Sequence, residues 1–461
     1  MRKKKKINWL IFGVYILFTY ISQLIYPSLP KKMELTYFII PCILVEFYLL
    51  TKIKFTLNSW ILLIWFWFFP FGILHVSNSY LNDSFWDLRV NEASFIYFTF
   101  LICFTLLIIL FERRYCKLPI EDDIPNPRVS SASSNFFLER FFFIFPILWF
   151  LDLLRNVGYI PILSGSNIVG NIYELNYGLL NNYVVFTSIS IGLLFTKYQK
   201  MKGKKGISKY YFGLIIFYLL ISFADGKRYT ILTSILAVFV FYSFYIRRVK
   251  NSKILYISGG MGAVVYLIIQ ALREGNFGNF FSSYLSKVGI GVEFRDFVYT
   301  VNKFNPGQIK GYNYLMSSFG SVLNEGVASI FDINKKELVG MGSAYTWKNI
   351  YHDLFQTEFG IRTGIFSELY FAYSFGGLLV LIFFAWLLTY ITSSIENRAK
   401  SPFTTIIYSV IYALFALLIV GQSTAFFGQV VLLLYVLLFN KLININKRNV
   451  TAGFSGNPSF Q

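Results

Sequence analysis

Only two histidines occur in the 461-residue chain, and one of them, His352, lies in a polar stretch, WKNIYHDLFQTEFGIRTG, from Trp347 to Gly364. Asp353, Glu358 and Arg362 share that stretch. Imidazole titrates near working pH, so His352 is the best candidate for a general base that takes a proton from a hydroxyl. Asp353 or Glu358 could orient the ring or raise its basicity. An ordinary surface histidine would fit the same residues. Arg228, Arg273, Arg295 and Arg362 are candidates to hold an anion, because guanidinium pairs with phosphate oxygens bidentately and stays charged. A lipid-linked diphosphate would sit at the depth these residues occupy, and holding it would stabilise it as a leaving group. Arg295 lies between Glu293 and Asp296, where a plain salt bridge explains it equally well. Arg228 closes the short loop DGKR (225–228), where anion binding is the favoured reading.

Other chemistries find little support. Two isolated histidines without clustered cysteines make no recognisable metal set. The three cysteines, Cys42, Cys103 and Cys116, have no metal-site spacing and suggest no disulfide framework. There is no phosphate-binding G-x-x-x-x-G-K-[ST] loop, and the acidic run EDD (121–123) reads as a solvated turn. No cofactor is expected. His75, in GILHVSN, reads as a polar helix end.

The elements that must position these residues are apolar. The chain is 56% hydrophobic and 14% charged, against about 25% charged in a soluble domain. Runs such as 7–26 and 60–76 have the length and composition of membrane-spanning helices. Twelve spans are expected: 7–26, 35–50, 60–76, 94–111, 136–154, 179–196, 210–224, 229–246, 254–271, 365–391, 403–420 and 427–443. This is an all-α integral membrane protein. With the N-terminus inside, 27 of the 42 Lys and Arg residues fall on the inner side, including six lysines in KYQKMKGKKGISK (197–209). That bias places both termini in the cytoplasm. It also accounts for the net charge of +19 through orientation and anionic lipid, so no nucleic-acid partner is needed.

One outer loop dwarfs the others, from Leu272 to Arg362. The domains are therefore 1–271 (spans one to nine), 272–362 (a helical outer loop subdomain), 363–443 (spans ten to twelve) and 444–461 (a cytoplasmic tail). Phe294, Phe297, Val298 and Val301 recur at helical spacing in that loop. Its aromatic residues suit a glycan, and equally a membrane interface. Polar residues gather at outer helix ends: Asp152 and Arg155; Asp225, Lys227 and Arg228; Gln270, Arg273 and Glu274; Glu368; Gln422 and Gln429. Ionisable groups at membrane depth are costly and usually mark a site or pathway. Their concentration at one face suggests binding or chemistry at the outer surface, although some would serve as interfacial anchors.

These features together resemble the O-antigen and capsule repeat-unit polymerase (Wzy) family, and are similar to the related O-antigen ligases. HDLFQTEFGIRTG (352–364) resembles a ligase-type stretch in which histidine is followed by Asn, where this chain has Asp353. GKRYTIL (226–232) resembles the short Gly-Arg motif before a span. Arg295 and Gly311 have fifteen residues between them, as in the polymerase R-x15-G pattern, and Arg155 and Gly170 have fourteen. SELYFAYSFGG (367–377) is similar to a polymerase segment where an acidic-aromatic run meets a Gly-rich helix. The resemblance implies a GT-C-like bundle in a bacterial cytoplasmic membrane, with the large loop in the periplasm. It implies metal-independent, inverting glycosyl transfer from undecaprenyl diphosphate to a hydroxyl of an incoming lipid-linked repeat, for lipopolysaccharide or capsule. Lys227, Arg228, Arg273, Arg295 and Arg362 would bind diphosphate. His352 would be the base, with Glu293 in reserve and Glu368 in support. Membrane lipids and a chain-length regulator are the further partners to consider. The rivals are an O-antigen ligase and a non-enzymatic flippase or transporter of lipid-linked oligosaccharide.

Overall fold

The computed structural model describes residues 90–115, 136–163, 180–246 (without 181, 182, 203, 226 and 227), 364–397, 401–419 and 423–454, with parts of 56–65 and 294–306 and residue Ile330. Every regular element among them is helical. The principal helices are α1 (Val90–Tyr115), α2 (Phe136–Val157), α3 (Val185–Lys200), α4 (Lys205–Ser222), α5 (Arg228–Val240), α6 (Gly364–Tyr373), α7 (Gly377–Glu396), α8 (Pro402–Ala416) and α9 (Ser423–Phe454). Residues 7–26, 35–50 and 254–271, three expected spans, lie outside the described residues, as does most of the 272–362 loop.

Among the described residues, four segments are long and apolar enough to cross a membrane: Phe95–Glu112, Gly364–Glu396, Pro402–Ile419 and Phe426–Ile443. A helix satisfies its own backbone, which hydrocarbon demands. The expected spans 94–111 and 403–420 match α1 and the α8 segment closely. The expected span 427–443 is the apolar part of a longer helix, because α9 runs on to Phe454. The expected span 365–391 is not one continuous helix. It breaks at Ser374–Gly376, where a 3-10 turn separates α6 from α7.

Helix α7 packs on α1, and α8 packs on α5, α3 and α7, while α3 also holds α2 and α4. Aromatic rings fill the seams. Trp65 stacks on Phe104 with ring centroids 4.6 Å apart, and Phe186 of α3 meets Phe142 and Phe145 of α2 edge-on. Between α3 and α5 the hydroxyls of Ser188 and Ser234 lie 2.9 Å apart. Small hydroxyl residues let membrane helices approach closely and bond across the seam. Pro146 interrupts the hydrogen-bond ladder of α2. The Tyr218 hydroxyl of α4 donates to the Phe143 carbonyl in the turn before that proline.

The contacts define two ends of the bundle. Lys197, near the C-terminus of α3, pairs with Glu139, near the N-terminus of α2, at 3.0 Å. Arg114, Arg140, Lys200, Lys209 and Lys441 are exposed around the same end. Here Asn58 donates to Glu112 at 2.8 Å and accepts from Thr392 at 2.8 Å. The Leu57 amide donates to Glu396 at 2.6 Å, and the Leu57 carbonyl accepts from Tyr412 at 2.7 Å. Asn58 is buried and ties three segments together. Asn58→Ala is expected to destabilise the protein by roughly 1–3 kcal/mol, since buried groups lose their partner. Thr392→Val should cost about 0.6 kcal/mol, an average for bonds between membrane helices. Denaturant unfolding in detergent should show the double variant costing less than the two separate losses.

Candidate functional site

Opposite the basic end, the chain enters α6 at Gly364 with φ +72. A Cβ there would strike the Ile419 carbonyl oxygen. Helix α6 is therefore seated directly on the 3-10 turn Leu417–Ile419 that ends α8. It is ten residues long, and the nine from Gly364 to Ala372 are buried. Ser374 then takes φ 53. Gly377 opens α7 so near the Leu369 carbonyl oxygen that a Cβ would lie 2.8 Å from it. About 20 residues suffice to cross the hydrocarbon, and α7 alone has 20. Helix α6 is a surplus half-helix, folded into the protein at one end.

Glu368 lies in the middle of α6 and is 1% exposed. Its neighbour Ser367 is fully buried, and the Ser367 hydroxyl has no hydrogen-bond partner among the described residues. The rings around α6 are aromatic. Phe366 meets Tyr97 at 5.2 Å and Trp65 at 5.4 Å, and Phe371 meets Phe297 at 6.2 Å. Phe294, Phe297, Val298 and Val301 are helical and buried, as their spacing suggested. Phe294 and Phe297 both touch Tyr97 of α1. This stretch of the large loop thus packs against the same end as α6. A carboxyl in such a place is a versatile group. Ionised, it accepts hydrogen bonds or faces a cation; protonated, it also donates one.

Two further acids stand at this end. Asp225 is fully buried in the turn before α5, and accepts a hydrogen bond from the Thr230 hydroxyl at 3.1 Å. The turn is braced by the Ile162 amide, which donates to the Ala224 carbonyl at 3.2 Å. Asp152 accepts from the Leu180 amide at 2.8 Å and from the Asn156 side chain at 3.2 Å. Its carboxylate anchors the chain as it returns toward α3. Arg155 is exposed. Of the two readings open for Asp152, anchorage at a helix end is the one its contacts bear out.

Of the eight residues singled out from the sequence, Glu368 is described in full and Arg228 through its backbone, as the first residue of α5. Both lie at the end of the bundle opposite the Lys197–Glu139 pair. Lys227, Arg273, Glu293, Arg295, His352 and Arg362 lie outside the described residues. Ser367 and the break at Ser374–Gly376 were not foreseen. The signal for the break was the small-residue run SFGG (374–377) inside an apolar span.

The fold is that of a helical membrane protein with a buried acidic half-helix at one end. No family model, no curated protein and no solved structure matches the chain. Two substitutions test the seat of α6. Gly364→Ala is expected to cost more than the roughly 1–2 kcal/mol of a left-handed alanine, because the Ile419 carbonyl must also move. Ser367→Ala removes an unpaired buried hydroxyl and should leave the unfolding temperature unchanged or raised. A thermal unfolding series in detergent reads both.

Proposed function

We propose that this protein is a polysaccharide repeat-unit polymerase of the bacterial cytoplasmic membrane. Glu368 carries the reading: a buried carboxyl on a half-helix that begins where the polar stretch around His352 returns to the membrane. The basic end of the bundle suits the cytoplasmic side, which puts Glu368 and the start of α5 at the outer face. Twelve spans, both termini inside and a periplasmic 272–362 loop complete the arrangement.

In this scheme the diphosphate of an undecaprenyl-linked glycan is held by Lys227, Arg228, Arg273, Arg295 and Arg362. A hydroxyl oxygen of the incoming lipid-linked repeat attacks the anomeric carbon of the growing chain. The bond from that carbon to the diphosphate oxygen breaks, and the configuration inverts. His352 takes the hydroxyl proton, with Glu293 as the alternative base. Glu368 orients a sugar hydroxyl or the base. The arginines neutralise charge that grows on the departing diphosphate, where preformed electrostatics has most effect.

One observation favours a different class. A span interrupted at Ser374–Gly376 beside a buried acid is also a device of transporters, whose broken helices line binding sites. A flippase for the same lipid-linked oligosaccharide is therefore the second reading. An O-antigen ligase shares the donor chemistry of the first.

A purified assay with a native undecaprenyl-diphosphate repeat tests the polymerase directly. Wild type should build a ladder of products. His352→Ala should slow it by about 10²–10⁴-fold, the usual span for a general base, and Arg228→Ala and Glu368→Gln should also reduce it. A ladder unchanged in His352→Ala and Arg228→Ala would sink these assignments. In a deletion strain, single capped repeats mark a lost polymerase, long chains left on the carrier mark a lost ligase, and failure to deliver repeats outward marks a lost flippase.

A further inference from the structure

A tight turn joins α3 to α4 at the basic end of the bundle. The Met201 amide donates to the Lys197 carbonyl at 3.1 Å, the Lys204 amide to the Met201 carbonyl at 2.8 Å and the Ser208 amide to the Lys204 carbonyl at 3.0 Å. The turn is thus fixed by its own backbone. Lys200, Lys202 and Lys204 are exposed along it, and Lys209 is exposed in the second turn of α4. The four peptide steps from Lys200 to Lys204 span at most ~14 Å, so these cations are close neighbours.

No acid among the described residues neutralises them. The sequence has no Asp or Glu between Glu174 and Asp225. Lys197, just before the turn, is taken by Glu139 at 3.0 Å. Lys200, Lys202, Lys204 and Lys209 make no ion pair or side-chain hydrogen bond among the described residues. Cations at the start of a helix also oppose its dipole, and the first turn of α4 holds no acid to offset them. The cluster therefore costs stability and calls for an anion from outside. The surface beside it is apolar. Ile207, Tyr210 and Phe212 are exposed, and exposed apolar side chains continue through Ile216 and Phe217 to Leu220. The lysines thus stand where the hydrocarbon-facing side of α4 ends, at headgroup depth.

We propose that the α3–α4 turn binds an anionic phospholipid, its phosphate among Lys200, Lys202, Lys204 and Lys209 and its chains against Ile207, Tyr210 and Phe212. Negative charge complements the lysines, and their place at the edge of an apolar face selects a lipid over a soluble polyanion. A second copy of the protein is a poorer occupant, because a twofold contact at this turn would bring the same cations together. The lysines that orient the chain during insertion thereby hold a lipid in the folded protein. The site lies at the opposite end from Glu368 and is independent of the polymerase reading.

Native mass spectrometry of the full-length protein tests this, with phosphatidylglycerol or phosphatidylcholine of identical chains added in mild detergent. Wild type should retain phosphatidylglycerol at least about fivefold more strongly than phosphatidylcholine, the preference that one interfacial cation supplies. The variant Lys200→Gln/Lys202→Gln/Lys204→Gln/Lys209→Gln should lose that preference, and Arg at the same four positions should keep it. Arg155→Gln, which removes an exposed cation at the opposite end, should also keep it. Every substituted side chain is exposed, so the variants report on folded protein. Glycerol phosphate at equal concentration should not displace the lipid. Equal retention of the two lipids by wild type would overturn the proposal. So would a preference that survives the four glutamines, is lost with the four arginines, or falls as far in Arg155→Gln. Displacement by glycerol phosphate would mark a free-phosphate site and overturn the choice of a lipid.

Discussion

Inside a bilayer, a backbone amide has no water to turn to. Each peptide group must find its partner within the protein, and a helix answers this residue by residue. That constraint explains why the described residues are helical and why their cross-helix bonds are few and specific. Where a helix falters, a side chain steps in. Trp65 donates to the Ala416 carbonyl at 3.2 Å, where α8 gives way to its terminal 3-10 turn. The interruption at Ser374–Gly376 is the largest departure. It occurs where α6 is enclosed by α1, α7 and the end of α8.

The polar groups divide into two sets with different physical meanings. Those at the basic end are knitted into one another: Asn58, Thr392, Glu112 and Glu396 hold the start of the Leu57–Trp65 segment against α1 and α7. They resemble a clasp. Those at the other end include the buried carboxyls Glu368 and Asp225. Among the described residues the Ser367 hydroxyl has no partner, which is unusual in a tightly packed interior. A stability role accounts well for the first set and poorly for Ser367. This asymmetry supports looking for ligand chemistry near α6.

Much of the fold was legible because hydrophobic run length is a strong signal in a membrane chain. The run 94–111 falls within α1, and the stripe Phe294, Phe297, Val298 and Val301 is buried as its period suggests. The break between α6 and α7 was not legible. The run SFGG (374–377) was its one signal, and hydropathy carries no information on backbone direction, whereas Ser374 takes a positive φ. The clasp was also invisible, because its bonds join residues 54 and 334 positions apart. For Asp152 the sequence left site and anchor both open, and the carboxylate spends its oxygens on the Leu180 and Asn156 nitrogens. Residue type signals cost at depth, and only geometry reveals who offsets it.

The seat of α6 has a consequence for how the molecule is made. Glu368 is synthesised well before residues 417–419, which form the floor on which Gly364 rests. About 50 residues of chain separate them, which at ~5–20 residues per second is a delay of several seconds. During that interval the glutamate has lost the water of the exit tunnel and has not gained its final enclosure. Helix α7, long enough to lodge in the bilayer alone, can settle first. The half-helix before it must then wait at the membrane surface until the hairpin of α8 and α9 arrives. The seat of Gly364 can therefore close only once residues 417–419 have been made.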